Sequence, residues 1–187
     1  AAAAPRARAQ EVVAADVATA RDLFIQASAL GQQGKWDEAR ALFERSLALK
    51  RAPITLYSLG AAQKHSGRWV EAIESFRAFL AEPSTAGTKV YEEPAQAAIA
   101  ELQPRIAHVT LVLAAGAGGD ARVELDGRLV AVAALGTARP MNPGSHVIAV
   151  TAPGRKPLRR ELTVREGERT TVELVLQVEA AAPAATQ

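Results

Sequence analysis

Residues 34–49 read GKWDEARALFERSLAL, and residues 67–82 read GRWVEAIESFRAFLAE. Ala39 falls on Ala72, which sets a repeat period of 33 residues, counted from 39 to 72. Gly34 and Gly67, Trp36 and Trp69, Phe43 and Phe76, and Leu47 and Leu80 coincide too, so both copies carry a G-x-W-x-x-A-x-x-x-F core. Upstream the match loosens to Leu23 with Leu56 and Ala27 with Gly60. Apolar residues recur at helical spacing: Leu23, Ala27 and Leu30 share one face, and Leu42, Phe43, Leu47 and Leu49 line the next helix. Gly34 and Gly67 end one helix and admit another. A unit this short cannot bury its apolar face alone and must stack on a neighbour. The residue types suit that arrangement. Ala27, Gly60, Ala39 and Ala72 are small enough for paired helices to approach, Trp36 and Trp69 fill the turns, and Phe43 and Phe76 wedge between successive hairpins.

A helical period near 34 residues with this core resembles the tetratricopeptide repeat family, in two copies. Ser46 and Phe79 stand where that family favours alanine, and Arg51 where it favours proline. The resemblance implies antiparallel hairpins, no catalytic chemistry, and a protein partner held on an inner face made by the first helix of each pair. Counting from the motif, that face presents Arg21, Phe24 and Ser28 in one copy and Tyr57, Lys64 and His65 in the next. The expected partner-binding residues are therefore Arg21, Phe24, Tyr57, Lys64 and His65, since aromatic and basic side chains anchor such interfaces. Phe24 has the alternative of packing on the N-terminal segment. Ser28 and Ala61 occupy positions where members that grip the terminal carboxylate of a partner carry asparagine, so that mode is not carried over.

Two repeats leave an apolar end that needs a cap. A helix over Glu93–Ile106 meets the need, with Pro94 in its first turn, Ala98, Leu102 and Ile106 on its apolar face, and Pro104 bending or ending it. Residues 83–90 between read as a loop. Residues 1–15 and 178–187 are rich in Ala and Pro without a clear period, and both are expected to be flexible tails. The helical domain is thus expected over 16–106.

From His108 the period changes to two. Val109-Leu111-Leu113, Val123-Leu125, Ile148-Val150, Leu162-Val164 and Val172-Leu174-Leu176 alternate with polar or small residues. Turn signals divide them: Ala117-Gly118-Gly119-Asp120, Asp126-Gly127, Asn142-Pro143-Gly144, Pro153-Gly154 and Glu166-Gly167. Such spacing predicts an antiparallel β-sandwich of six or seven strands over 108–177, and an α+β fold class for the whole protein. The segments VELDGRLV (123–130), PGSHVIAV (143–150), APGR (152–155) and TVELVL (171–176) resemble the PEGA domain, a small sandwich of bacterial envelope and surface proteins. Arg155 stands where that family often has an aromatic residue, and Ala131–Arg139 matches it loosely. Helical repeats joined to such a domain imply an exported protein of the periplasm or cell envelope, with any membrane anchor outside this sequence.

Composition narrows the chemistry. The 187 residues hold no cysteine, which removes disulfides, thiolate metal sites and cysteine nucleophiles. The net charge is +2, and the basic residues form no run and do not interleave with aromatics, so no nucleic-acid partner is expected. No apolar stretch is long enough to span a bilayer. Ala7-Arg8-Ala9 before Gln10 has the small-x-small form of a secretory cleavage site, and an export signal is expected to have been removed ahead of it. The histidines His65, His108 and His146 have no metal-ligand spacing. No metal, cofactor or catalytic set is expected, and the protein is read as not an enzyme. His146 follows Pro143-Gly144. It is expected to bond a turn carbonyl, the alternative being a ligand contact at the sandwich rim. Asp126-Gly127 reads as a primed hairpin turn. Gly116, Gly118 and Gly119 lack the Lys-Ser/Thr pair and helix of a phosphate loop.

The function expected is a non-catalytic interaction or scaffold module whose helical repeats bind a segment of a protein partner. The alternative is glycan or cell-wall binding through the sandwich, which its lack of Phe, Tyr and Trp over 108–177 disfavours.

Overall fold

The computed structural model describes residues 4–114 and 120–179, the side chains of 4–12 excepted. The protein is α+β and divides into two compact units, Ala1–Pro104 and Arg105–Gln187. The turn expected at Ala117–Asp120, the glycines at 116, 118 and 119, and the tail residues 1–3 and 180–187 lie outside the described residues, Asp120 itself excepted.

The first unit holds α1 (Ala4–Gln32), α2 (Trp36–Leu49), α3 (Pro53–His65), α4 (Trp69–Leu80) and α5 (Glu92–Leu102). Gly34 and Gly67 both take φ near +75°, at +76° and +75°. This left-handed conformation is open to glycine without a Cβ penalty, and it turns α1 into α2 and α3 into α4 the same way. Helix α1 starts at Ala4, so residues 4–15 are helical rather than irregular. Alanine is the strongest helix former, and the aperiodic polarity that suggested a tail does not oppose it. Pro104 ends the capping helix sooner than expected: α5 closes at Leu102, and Gln103–Arg105 form a 3-10 turn.

Ala27, Ala39, Phe43, Leu59 and Ala62 form a buried cluster joining α1, α2 and α3, with Phe24, Leu30, Trp36, Leu42 and Leu47 against it. Phe43 therefore bridges the two hairpins, as its position predicts. Both tryptophans sit at the turns, as their positions predict, and are half-buried: the Trp36 ring lies against Gly31, and Trp69 Nε1 donates to the Lys64 carbonyl.

The second unit has β1 (Ala107–Leu113), β2 (Arg122–Leu125), β3 (Arg128–Val130), β4 (Ala138–Met141), β5 (Gly144–Thr151), β6 (Leu158–Val164) and β7 (Arg169–Leu174). They form two sheets, β4-β1-β7 and β3-β2-β5-β6. The larger is antiparallel throughout, but β1 and β7 run parallel, so the smaller sheet is mixed. Alternation shows which residues face inward but not which way the neighbouring strand runs, hence the difference. Val109, Leu111, Met141, Val172 and Leu174 of one sheet meet Val123, Val130, Ile148, Val150 and Val164 of the other in a single buried core. Strand β4 lies in the weakly patterned stretch before Asn142. Its inward residues are the buried Met141 and the half-buried Arg139, so no apolar alternation marks it.

Candidate functional site

Helices α1, α3 and α5 form one layer of the helical unit. Tyr57 of α3 touches Tyr91 just before α5, and Lys64 of α3 pairs with Glu101 of α5. Proline at the first position starts α3, and Lys64 and His65 in its last turn complement the negative end of its dipole. The five residues expected to bind a partner all sit on α1 or α3, and the structure gives each a definite setting.

Arg21 is exposed on α1. Phe24 is half-buried, its ring 5.5 Å from that of Phe43 at 57°. It thus packs inside its own hairpin. Tyr57 is half-buried among Phe76 at 5.7 Å, Phe79 at 5.5 Å and Tyr91 at 4.7 Å. Burial, and then the neighbouring Tyr91 phenol, push its pKa above the ordinary 10.0. Lys64 Nζ lies 2.5 Å from Glu101 Oε2. His65 is exposed and stacks flat on Trp36, with centroids 4.2 Å apart and 14° between planes. The structure therefore brings Tyr57 and Lys64 together with Tyr91 and Glu101, and it attaches Phe24 and His65 to aromatic rings of the first hairpin.

Sequence reasoning missed Tyr91, Glu101 and Ile25. Ile25, next to Phe24, is 54% exposed on α1. A signal for Tyr91 existed: the 33-residue period carried on from Tyr57 lands on Val90, its neighbour. Reading 83–90 as a plain loop hid it.

The strand edges of the sheet unit are poorly fitted to accept an added strand. β3 has three residues, β4 carries Pro140, and β6 displays Arg159 and Arg160. The Arg160 guanidinium donates to the Glu173 carbonyl on β7 at 3.4 Å, and Lys156 N–H and Glu179 N–H bond the Gln177 and Gly154 carbonyls. Short strands, proline, and charged or covered edges are the usual defences against edge pairing.

His146 has the structural contact expected and one more. Its Nε2 lies 2.7 Å from the Asn142 carbonyl oxygen, and its Nδ1 2.7 Å from Asp126 Oδ2. Both nitrogens face acceptors, and only a doubly protonated ring makes both hydrogen bonds. Asp126 sits at φ +51° beside Gly127 at +74°, in the primed turn predicted, and its Oδ1 also accepts from Val147 N–H at 2.8 Å. Partial burial acts to raise its pKa. The hydrogen bonds from His146 and Val147, with the charges of His146 and Arg128, outweigh that and hold it below the ordinary 3.8. The pair ties the β2–β3 turn to β5.

A tetratricopeptide repeat model matches residues 23–53. The repeat so matched comprises the end of α1, all of α2 and the first residue of α3. No curated protein matches the sequence. The helical unit thus contains a tetratricopeptide repeat, the hallmark of a protein–protein interaction module, and a β-sheet unit follows it. Among the described residues no helix is long and apolar enough to cross a membrane.

Proposed function

We propose that the protein is a non-catalytic scaffold of the bacterial cell envelope that holds a segment of a protein partner on the layer made by α1, α3 and α5. The observation that carries this reading is the repeated hairpin with its first helices side by side. Arg21 and Ile25 are open on α1, and Tyr57, Ala61 and Lys64 are half-open along α3. Tyr57 is a rigid wall set by three neighbouring rings, and small Ala61 leaves room beside it. Lys64 is held by Glu101 at the end of the face, so its ammonium has a fixed position there. The export role draws on the resemblance of 108–177 to envelope sandwiches and on the secretory form of Ala7-Arg8-Ala9.

The test is site-specific photo-crosslinking in the native envelope. The reactive group is placed at Arg21 or Ala61 on the proposed face, at Glu44 or Arg77 on the second helices, and at Arg122 on the sheets. A partner captured from Arg21 and Ala61 alone supports the reading. Capture from Arg122 with none from the helices moves the interface to the sheets and refutes it.

A further inference from the structure

The outward face of the small sheet carries a polar set that neither the core nor the helical site uses. The register places Pro140, His108 and Arg169 in one row across β4, β1 and β7, and Ala138, Thr110 and Thr171 in the next. Inward neighbours Val109, Leu111 and Val172 are buried, so these rows point away from the core. A shallow depression of about 140 Å³ lies over them, lined by His108, Thr110, Ala138, Arg169, Thr170 and Thr171. The lining contains a guanidinium, an imidazole and hydroxyls, and no carboxylate. Ala138 is the small residue of its row and leaves the hollow open.

Two of the nearby acids are engaged elsewhere. Glu166 takes both Nε and Nη2 of Arg105 at 2.9 Å, and Glu168 accepts from Arg165 N–H at 2.8 Å. Among the described residues nothing bonds the Arg169 guanidinium, the His108 ring, or the Thr110 and Thr171 hydroxyls. The Arg169 guanidinium thus stands in register beside the His108 ring with no acid between them, and its donors are open to an anion from solution.

We propose that this face binds a tetrahedral oxyanion of the phosphate class, with Arg169 and His108 above it and the Thr110 and Thr171 hydroxyls below. The guanidinium fork matches two oxyanion oxygens, and the threonine hydroxyls donate to the others. Strands lie about 4.8 Å apart and alternate residues about 6.6 Å apart, a frame of the right size for one phosphate group. Glu173 comes one row beyond Thr171, opposite Val112, and bounds the site with negative charge, so a compact anion is favoured over a polyanion.

The experiment is a titration of the full-length protein, labelled with nitrogen-15, with inorganic phosphate at constant ionic strength. Glycerol phosphate and acetate are titrated in parallel. Saturable amide shifts centred on His108, Thr110, Arg169 and Thr171 are expected. Arg169→Gln, at an exposed position that leaves thermal unfolding unchanged, weakens binding by roughly tenfold or more, the size of one charge-assisted hydrogen bond. Arg169→Lys retains part of it. Tighter binding of glycerol phosphate than of inorganic phosphate assigns the site to an esterified phosphate, and the reverse assigns it to the free ion. Shifts that do not saturate, that spread over all basic residues, or that persist unchanged in Arg169→Gln overturn the proposal, as does tighter binding of acetate.

Discussion

In the first hairpin Phe24 meets Phe43 with ring centroids 5.5 Å apart at 57°, and in the second Tyr57 meets Phe76 at 5.7 Å and 59°. The 33-residue period carries each ring onto its counterpart, so the two copies share one packing geometry. They fill it differently. Leu30 and Leu42 lie against the apolar cluster of the first hairpin. Their counterparts Gln63 and Ser75 are buried and joined by a 2.6 Å hydrogen bond. Ala27 becomes Gly60, where an added Cβ would stand 2.9 Å from Cδ1 and Cε1 of Phe76. Gly31 admits the Trp36 ring at the end of α1, whereas Lys64 offers its carbonyl to Trp69 Nε1 at 3.2 Å. Ser46 bonds the Ala20 carbonyl at 2.8 Å, while its counterpart Phe79 packs on Tyr57. The lesson is that changes come in compensating pairs: the backbone is repeated, and each copy solves its interior locally.

The largest effect should come from removing the shared element. Phe43 and Phe76 are 4% and 2% exposed, and truncating either to alanine should cost about 3–5 kcal/mol in urea unfolding. Similar losses in one cooperative transition would show that the hairpins are equivalent by packing. A loss below about 1 kcal/mol at either site would break the equivalence.

The Gln63–Ser75 pair sharpens the comparison. Ser75→Ala leaves a buried amide unpartnered and should cost about 1–3 kcal/mol. Gln63→Leu with Ser75→Ala removes both polar groups, brings the site nearer the apolar first hairpin, and should recover most of that loss. A double-mutant cycle that shows no coupling would mean that the hydrogen bond is incidental.

Gly60→Ala asks whether the copies can be exchanged outright. Helix propensity favours alanine by about 1 kcal/mol, and overpacking against the Phe76 ring opposes it by about 1–3 kcal/mol. The expected net result is a loss of up to about 2 kcal/mol. Adding Phe76→Leu should relieve part of it. A stabilised Gly60→Ala would mean that Phe76 shifts freely to the position Phe43 takes in the first hairpin.

These pairs also mark what the sequence could reveal. The period, the glycine turns and the wedge phenylalanines were legible because each is set by local spacing. Leu23 and Ala27 announced their burial in the same way. Exchanges such as Leu30 and Leu42 for Gln63 and Ser75 were not, because a glutamine in isolation reads as a surface residue until its partner is placed opposite. The same holds for the proposed interaction face. Arg21, Tyr57 and Lys64 could be placed on it by counting, but Glu101 and Tyr91 reach it only through the packing of α5, which periodicity does not encode. In the sheets, alternation identified the inward residues, and the parallel pairing of β1 with β7 depended on the path between strands.

The smallest expected effect separates Tyr57 from its counterpart Phe24. At neutral pH, Tyr57→Phe loses only a partly exposed hydroxyl and should change stability by about 0.5 kcal/mol or less. Alkaline pH tells the two apart. Burial and Tyr91 raise the Tyr57 pKa in the folded state, so the unfolded state releases its proton first, from about 10.0 upward. Folded molecules then hold more protons than unfolded ones, and stability falls as pH rises. The contribution is complete below pH 10.0 and is lost as pH climbs through the folded value. Urea unfolding at about pH 8 and about pH 11 should therefore show a steeper loss for the wild type than for Tyr57→Phe, whose second hairpin now carries the phenylalanine of the first. Equal losses in the two proteins would mean that the ring cluster leaves the Tyr57 hydroxyl in water, and that this face is more open than its three neighbouring rings imply.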